Sequence, residues 1–573
     1  MSRKNNILVG QMLIEEGTIT PEQLETGLNE QKKTGDFICT TLLKLGFASE
    51  QQLFGILSRY LNVPYIRLKD KEIESQVIQK VPAKFASHYK IMPLEFKDNT
   101  LVIAMTDPLD IRILDDIKLL LGIEVKGVLS SELEIIDAIS KYYGVGAETL
   151  ERIISEKPAS EDAKKETQET QNLEILAEDA SIIKFVNQIL SQAIKDRATD
   201  IHLEPFQNEL RVRFRIDGLL YEINTPETIR YFHPAIISRI KIMAHLNIAE
   251  RRLPRDGRIK IKINDEETDL RVSILPTAFD EALHIRRLSS QFFLELEKLG
   301  LFPEDLRIIE KVITKPHGII FVTGPTGSGK STSLYASLAR INSNSIKIIT
   351  IEDPVEYQLR GINQLQVNPQ INFTFAVALK HILRHDPDVI MVGEVRDYET
   401  AEIAIRSALT GHLVFSTLHT NDAAGAVTRL LDMGVEAFLV SSSLECLIAQ
   451  RLIRLICPRC KTPLTSDKKN EIFKQLKDIE FDRQNTELFE GKGCEECRFT
   501  GYRGRTGIYE ILTVTESIRE MILNRASSQQ IKQKAVSQGM RTLRQDGLRK
   551  VLMGLTTFAE VIRITQQEEL PEE

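Results

Sequence analysis

The clearest chemical signal in the chain is an eight-residue stretch, G-P-T-G-S-G-K-S, at residues 324–331. It follows an apolar run at 318–323 and precedes a helix-prone run, so the sequence predicts a strand, a glycine-rich turn and a helix. In such a loop glycines turn backbone N–H groups towards phosphate, Lys330 neutralises β/γ charge and the Ser331 hydroxyl ligates Mg²⁺. The stretch therefore predicts a nucleoside triphosphate site. The residues expected to bind the nucleotide are Gly324, Pro325, Thr326, Gly327, Ser328, Gly329, Lys330, Ser331 and Thr332.

Titratable side chains directly follow three later apolar runs, at 347–351, 388–392 and 413–418, each of which is a predicted strand. They are the box from Glu352 to Glu356, Glu394 and His419. Ligands of parallel sheets bind at the carboxyl ends of strands, and hydrolysis of Mg²⁺·ATP needs an acid near the metal and a group that orients water. Glu394 and Glu356 fit these two roles, although carboxylates so placed can instead cap the next helix. His412 and His419 are either core histidines or, as we favour, phosphate contacts or sensors.

Four of the six cysteines form two C-x-x-C pairs, Cys457/Cys460 and Cys494/Cys497, with 33 residues between the pairs. Four thiolates suit tetrahedral Zn²⁺, and a shell closed by four sulfurs leaves no open position for catalysis. A redox dithiol is the alternative, but it would not need two pairs. The spacing predicts a structural zinc site.

Composition limits the classes of protein that remain. The chain has 573 residues, 42% of them hydrophobic and 27% charged, which is ordinary for several globular domains. A net charge of -7 argues against a protein dominated by nucleic-acid binding, and we expect no nucleic-acid partner. No apolar run reaches about 18 residues, and the start lacks the apolar core of a signal peptide. We therefore expect a cytoplasmic location.

The pattern along the chain predicts five segments. A Leu-x-x-x-Gly unit at residues 13–17 recurs at 42–46, a shift of 29 residues, which predicts paired helix–turn–helix repeats. Strands that alternate with helices beyond residue 302 predict an α/β domain whose largely parallel sheet is covered on both faces. The segments are a helical module at 1–62, a small α/β domain at 63–145, an acidic linker at 146–180, a second α/β domain at 181–290 and the phosphate-loop domain at 300–573, with a zinc insert at 457–497 and C-terminal helices.

Four segments together closely resemble the type II/IV secretion ATPase superfamily. They are the loop at 324–331, the acidic box at 352–356, the box at 386–394 and the histidine segment at 410–423. In that family they are the Walker A motif, Asp box, Walker B motif and His box of a RecA-like fold, preceded by a smaller, PAS-like α/β domain. The resemblance implies a homo-hexamer that converts ATP turnover into subunit rotation.

The same resemblance implies roles for individual residues. Glu394 corresponds to the Walker B acid and Glu356 is a candidate for orienting the water, with their division of labour open. A ring of this type also needs cations that neutralise transition-state charge, usually from a neighbouring domain. Arg239, Arg255 and Arg258 match the family segments that face the nucleotide. Exposed arginines are, however, often only solvated.

The resemblance also points to a cellular process. In the family a four-cysteine insert is typical of pilus-extension and type II secretion ATPases and is absent from retraction ATPases, so retraction is disfavoured. The segments at 422–426 and 433–443 look more like the type II secretion branch than the pilus branch. The implied partners are an inner-membrane platform protein, a membrane-anchored linker protein and, indirectly, pilin-like subunits, so we expect a peripheral association with the inner membrane.

The N-terminal repeats resemble a module that binds cyclic di-GMP in some relatives through an R-L-G-type start. Here the corresponding residues are Leu8-Val-Gly10 and Phe37-Ile-Cys39, so the stacking arginine is absent from both. Docking to a membrane-anchored partner is the favoured role of this module. A RecA-like nucleic-acid motor and a nucleotide-gated scaffold without turnover remain the alternatives for the whole chain.

Overall fold

The structure is a computed structural model that describes residues 10–565 except for 35–37, 49, 69–70, 109, 150, 152–178, 264–265, 289–294, 477–480 and 484. It divides into two compact units, Met1–Arg287 and Leu288–Glu573. Most of the acidic linker predicted over 146–180 lies outside the described residues. Within the described ranges, no helix is both long enough and apolar enough to cross a membrane.

The first unit contains helices and two sheets. Its helices are α1 (Pro21–Thr34), α2 (Ile38–Lys44), α3 (Glu50–Leu61), α4 (Ser75–Ile78), α5 (Ala83–Tyr89), α6 (Ile111–Leu121), α7 (Glu132–Tyr142), α8 (Ala180–Lys195) and α9 (Ile229–Met243). Its strands are β1 (Ile91–Lys97), β2 (Thr100–Met105), β3 (Glu124–Leu129), β4 (Asp200–Pro205), β5 (Leu210–Ile216), β6 (Leu219–Glu222), β7 (Arg255–Ile263), β8 (Glu266–Pro276) and β9 (Glu281–Leu288).

The N-terminal helices show the predicted 29-residue repeat. Gly17 and Gly46 both adopt left-handed backbone, with φ of 69° and 70°, a conformation that favours glycine. The helices that follow them, α1 and α3, begin at Pro21 and Glu50, which preserves the same shift. Leucines of both repeats are buried in one apolar cluster, which includes Leu13 and Leu42. The repeated glycine turns therefore fold into two equivalent units.

The two sheets of the first unit each carry helices. In the smaller sheet β2 lies between β1, which is antiparallel to it, and β3, which is parallel. The larger sheet has the strand order β6-β5-β4-β9-β8-β7, and apolar residues of α8 and α9 pack on it in a single core. Alternate residues of β5 are buried, as expected for a strand that is covered on one face.

The second unit contains one large sheet. Its helices are α10 (Pro303–Ile313), α11 (Lys330–Ile341), α12 (Phe375–Ile382), α13 (Tyr398–Leu409), α14 (Ala423–Asp432), α15 (Ala437–Ser443), α16 (Ser466–Gln475), α17 (Glu516–Leu523), α18 (Ser528–Ser537), α19 (Leu543–Leu552) and α20 (Phe558–Thr565). Its strands are β10 (Gly318–Thr323), β11 (Ile348–Glu352), β12 (Asn363–Gln366), β13 (Val389–Val392), β14 (Leu413–Leu418), β15 (Leu444–Ile456), β16 (Lys461–Pro463), β17 (Phe489–Gly491) and β18 (Tyr502–Thr513).

The large sheet has the strand order β12-β11-β13-β14-β10-β15-β18. Neighbouring strands are parallel except for the last pair, β15 and β18. Every residue of β10 is buried: Ile319 and Phe321 belong to one apolar core, whereas Ile320 and Val322 belong to another. Because successive side chains of a strand point to opposite faces, both faces of this sheet are covered. The predicted parallel, two-sided α/β sheet is confirmed.

A small insert connects β15 to β18. It contains α16 and an antiparallel pair formed by β16 and β17. Phe473 of α16 packs with Leu476 and Leu488 at the edge of the main core. The insert thus extends from two strands of the large sheet, which anchor both of its ends.

Candidate active site

The glycine-rich stretch forms a loop between β10 and α11. Gly324, Gly327 and Gly329 have φ of 149°, 80° and 91°, and Gly329 is the N-cap of α11. A Cβ at Gly324 would lie 2.6 Å from the Gln450 carbonyl oxygen, and one at Gly329 would lie 2.7 Å from Gln450 Nε2. The backbone of β15 therefore requires glycine at position 324, and the left-handed φ favours glycine at position 329. The loop leads directly into a helix N-terminus, whose N–H groups favour anions.

Two hydroxyl groups of the loop suit a phosphate and its metal. Among the described atoms, Ser328 Oγ is buried and has no hydrogen-bond partner, which is costly for a polar group. Ser331, at the second position of α11, is exposed. A bound phosphate would give the buried hydroxyl a partner, and a metal ion could take the exposed one as a ligand. The loop fits Mg²⁺·nucleotide on both counts.

Lys330 lies across its own loop. Its Nζ donates to the carbonyl oxygens of Gly324 at 2.7 Å and Pro325 at 3.1 Å. Burial lowers the pKa of Lys330 to about 8; the charge of Glu394 opposes this shift and that of Arg451 adds to it. The ammonium group therefore donates to carbonyl oxygens that a bound phosphate could replace. An anionic phosphate at this position would stabilise its charge.

Glu394 and His419 meet at the carboxyl edge of the sheet, where the loop also begins. Glu394 follows β13 and His419 follows the neighbouring β14, which itself pairs in parallel with β10. Glu394 Oε2 lies 3.3 Å from His419 Nε2, and its other oxygen lies 2.6 Å from Arg396 Nη2. The structure thus brings Lys330, Glu394 and His419 to one edge, as the strand order of a parallel sheet requires.

His412 does not belong to this group. It precedes β14, whereas His419 follows it, so the two histidines lie at opposite ends of one strand. His412 Nδ1 is 3.0 Å from the carbonyl oxygen of Ser407, near the C-terminus of α13. This contact ties the strand to the preceding helix. The structure places His412 away from the loop, contrary to the expectation of a phosphate contact.

The two glutamates of the acidic box differ in their surroundings. Glu352 ends β11 and is only 4% exposed, and it accepts hydrogen bonds from Tyr335, Thr350 and Gln364. Glu356 lies four residues further on, in the loop after the strand, and is half-buried. Glu352 therefore caps no helix but forms the centre of a buried polar network. Glu356 is the more accessible of the two.

The predicted cationic residues lie in the first unit. Arg239 is on α9, and Arg255 and Arg258 are on β7. Arg255 is half-buried and Arg258 is exposed. None of these three arginines forms an ion pair with any described residue of the chain. Their role in neutralising transition-state charge stays a prediction.

Sequence reasoning missed several residues that contact the loop. Gln450 and Arg451 lie in β15, which pairs with β10; Arg451 donates to the carbonyl oxygens of Gln450 at 3.0 Å and Asn421 at 2.7 Å. Ser333 Oγ in turn donates to Gln450 Oε1 at 2.8 Å. A polar Gln-Arg pair in the middle of a strand that is otherwise mostly apolar was the available signal. Arg396, two residues after Glu394, was missed as well.

The four cysteines of the insert converge. Their sulfurs all lie within 4.8 Å of one another, with Cys457–Cys494, Cys460–Cys497 and Cys494–Cys497 separations of 3.7, 3.8 and 3.7 Å. These distances exclude disulfides, whose S–S bond is about 2.05 Å. Tetrahedral Zn–S bonds of about 2.3 Å place sulfurs about 3.8 Å apart. The donor set and its geometry therefore fit a closed tetrahedral metal site.

Comparison with known proteins defines the class of the chain. It belongs to the type II/IV secretion system protein family, whose family model matches residues 176–563. A second family model, the MshEN domain, matches residues 61–149.

Individual relatives cover nearly the whole chain. It is 44% identical to the type IV pilus assembly ATPase PilB of Myxococcus xanthus over 97% of this chain and 98% of that protein. It is 41% identical to the type II secretion system protein E of Xanthomonas campestris pv. campestris over 97% of each chain. Among solved structures, the Yersinia pseudotuberculosis ATPase DotB is similar in fold, with a TM-score of 0.50 and 20% identity over 67% of this chain and 94% of that one.

Proposed function

We propose that this chain is a Mg²⁺-dependent ATP hydrolase with a RecA-like nucleotide-binding domain, and that its turnover drives assembly of a pilin-like filament. One observation carries the proposal: Lys330, Glu394 and His419 converge beside a glycine-rich loop that ends in a helix N-terminus. This arrangement combines an anion site with an acid at the position where a metal and a water would lie. The family to which the chain belongs points to the same chemistry.

Each residue then has a distinct task. The loop N–H groups and Lys330 would bind the β- and γ-phosphates, and Ser331 with Glu394 would hold Mg²⁺. Mg²⁺, when bound, neutralises charge on the phosphate oxygens. Glu356 orients the attacking water, and His419 maintains Glu394 in place through their contact of 3.3 Å. Arg239, Arg255 and Arg258 are proposed to supply further positive charge to the transition state.

The cysteine insert is proposed to hold a structural Zn²⁺. Cys457, Cys460, Cys494 and Cys497 would all be ligands, so the ion would have no position for substrate. The metal would fix the two C-x-x-C pairs relative to each other and thereby order the connection between β15 and β18. We assign it no step in hydrolysis.

Two filament systems are candidates for the work that this turnover supports. Type II secretion is the first, because the segments at 422–426 and 433–443 resemble that branch. Type IV pilus assembly is the second, and the 44% identity to a pilus assembly ATPase over nearly the full length of both chains favours it. In either system we propose a homo-hexamer in the cytoplasm that is held at the inner membrane by a platform protein and a membrane-anchored linker protein.

Hydrolysis is tested by steady-state ATPase measurements on the full chain in the presence of Mg²⁺. Glu394→Gln should retain ATP binding and lose turnover. Glu399→Gln is the matched control, because Glu399 is an exposed acid in the same region that pairs with Lys380 at 2.6 Å. Turnover of the Glu394 variant at the wild-type rate would contradict the assignment.

The filament system is tested in the native cell. Affinity capture of the tagged chain should recover a platform protein and pilin-like subunits, whose identities distinguish the two systems. Deletion of the gene should then abolish either secretion of exported enzymes or surface pili. A deletion strain with both processes intact would contradict the proposed role in filament assembly.

A further inference from the structure

A buried polar network is centred on the carboxylate of Glu352, the last residue of β11. It adjoins the carboxyl edge of the large sheet, where the nucleotide is proposed to bind. One carboxylate oxygen accepts from Thr350 Oγ1 at 2.6 Å and from Gln364 Nε2 at 3.1 Å. The other accepts from the Tyr335 hydroxyl. A buried carboxylate is costly unless such donors satisfy it. Glu352 is therefore a fixed centre that links its own strand, β11, to α11 and β12.

Tyr335 connects Glu352 both to the helix that follows the phosphate loop and to the backbone of Glu356. It lies on α11, the helix that begins at Lys330, and is 1% exposed. Its hydroxyl donates to Glu352 and accepts from the backbone N–H of Glu356 at 3.4 Å. Burial, and then the adjacent Glu352 charge, raises the pKa of Tyr335 well above its usual range, so the hydroxyl stays protonated as a donor. One buried atom thus lies between the two glutamates of the acidic box.

Gln364 fixes the same loop a few residues further on. Its Nε2 donates to the carbonyl oxygen of Tyr357 at 3.1 Å, and its Oε1 accepts from the N–H of Leu359 at 2.6 Å. The ring of Tyr357 packs edge-on against that of Tyr335, with centroids 4.4 Å apart. The backbone from Glu356 to Leu359 is therefore held at three points, all of them linked to Glu352.

We propose that Tyr335 is a positioning residue for hydrolysis, because its hydroxyl sets the backbone position of Glu356 relative to the helix that begins at the phosphate loop. The inference rests on the proposed function, in which Glu356 orients the attacking water. Catalytic geometry is steep: a misplacement of about 1 Å can cost roughly 10²-fold in rate. A single hydrogen bond to the Glu356 backbone therefore matters for turnover, although Tyr335 is itself buried and lies outside the phosphate loop.

The test is Tyr335→Phe in the full chain, which removes the hydroxyl and keeps the ring. We expect kcat to fall about tenfold, with KM and the affinity for ATP within about twofold of wild type, since the phosphate loop is unchanged. Tyr398→Phe is the matched control, because it removes the same atom from an exposed tyrosine of the same unit, and it should leave kcat within about twofold of wild type. Wild-type kcat in the Tyr335 variant would overturn the proposal.

A double-mutant cycle separates positioning from a general structural effect. In the Glu356→Gln background the water-orienting carboxylate is already absent, so Tyr335→Phe should not lower the residual rate further. A second tenfold loss there would overturn the proposal, as would a Glu356→Gln variant with normal kcat.

If Tyr335→Phe does not fold, Gln364→Leu tests the same loop from its other end, with the same expected split between kcat and KM. Absence of hydrolysis by the wild-type chain would contradict the proposed function itself, which distinguishes the two failures.

Discussion

The proposed nucleotide edge and the proposed zinc site of the four cysteines both belong to the second unit, but they are held together differently. At the edge, Lys330 donates hydrogen bonds to carbonyl oxygens of its own loop, and Glu394 contacts Arg396 and His419. These are contacts that an incoming phosphate or metal can replace. In the insert, four sulfurs face one another at separations that already suit a tetrahedral ion.

The difference reflects what each site must do. A site that binds and releases nucleotide in every cycle needs partners that exchange at low cost, and its groups follow several different strands. A structural metal site needs the reverse, a closed shell that is formed once. The comparison predicts that changes at the edge alter binding and turnover strongly, and that changes in the insert alter stability.

The largest expected effect is that of Lys330→Ala. Truncating one partner of a buried charge contact costs roughly 2–5 kcal/mol, so we expect the affinity for Mg²⁺·ATP to fall by about 10³-fold. Titration calorimetry or a fluorescent nucleotide measures it. Arg340→Ala, at the other end of the same helix, is the control and should bind as wild type does. Unchanged affinity in the Lys330 variant would remove the phosphate loop from the proposed site.

Glu394→Gln is expected to have the next largest effect. Loss of a positioned carboxylate lowers kcat by about 10²-fold or more, while the phosphate contacts that determine affinity remain. Single-turnover measurements should show ATP bound without hydrolysis. Equal losses in affinity and in kcat would instead indicate that Glu394 mainly supports the loop.

The affinity for nucleotide should also depend on pH. The pKa of Lys330 is lowered to about 8 in the nucleotide-free protein, and a bound phosphate favours the charged form. Below pH 8 the lysine is already protonated and affinity is level; above pH 8 binding requires proton uptake, so affinity falls by up to about tenfold per pH unit. Calorimetry at pH about 8.5 in buffers of different ionisation enthalpy measures the uptake. Affinity that is constant from pH 7 to 10 would contradict this assignment.

The smallest expected effect on the nucleotide site is that of Cys460→Ser. This variant should lose bound zinc and unfold at a lower temperature, because the insert depends on four ligands. Its affinity for ATP should stay within about twofold of wild type, since the loop lies on other strands. Elemental analysis and thermal unfolding measure the first two quantities. Retained stoichiometric zinc would refute the four-cysteine site, and a large loss of ATP affinity would refute the separation of the two regions.

Local elements were predicted well from the sequence. The predicted strands at 318–323 and 413–418 coincide with β10 and β14. The strand predicted at 347–351 is shifted by one residue, to 348–352, and the strand predicted at 388–392 begins one residue later, at 389. Differences of this size are usual for element boundaries. Continuous apolar runs and flanking turn residues carry this information locally, so no tertiary contact is needed to recognise it.

The candidate site was predicted less completely, since part of it depends on which strands are neighbours. Glu394 and His419 were placed correctly at one edge because parallel strands end together. Gln450 and Arg451 were missed because nothing in the amino-acid sequence indicates that β15 lies beside β10. Glu352 was expected either to lie near the nucleotide or to cap the next helix, yet it is buried. Its hydrogen-bond donors are Thr350 on the same strand, Tyr335 on α11 and Gln364 on β12.

The sequence by itself determined the phosphate loop, the paired cysteines and a sheet covered on both faces, because these follow from residue types at fixed spacings along the chain. The tertiary structure decided that Glu352 is buried with Tyr335, whereas Glu356 is only half-buried in the loop after the strand. It also decided that His412 and His419 lie at opposite ends of one strand. Such distinctions depend on strand order and on contacts between residues far apart in the chain, and those are settled only when the sheet assembles.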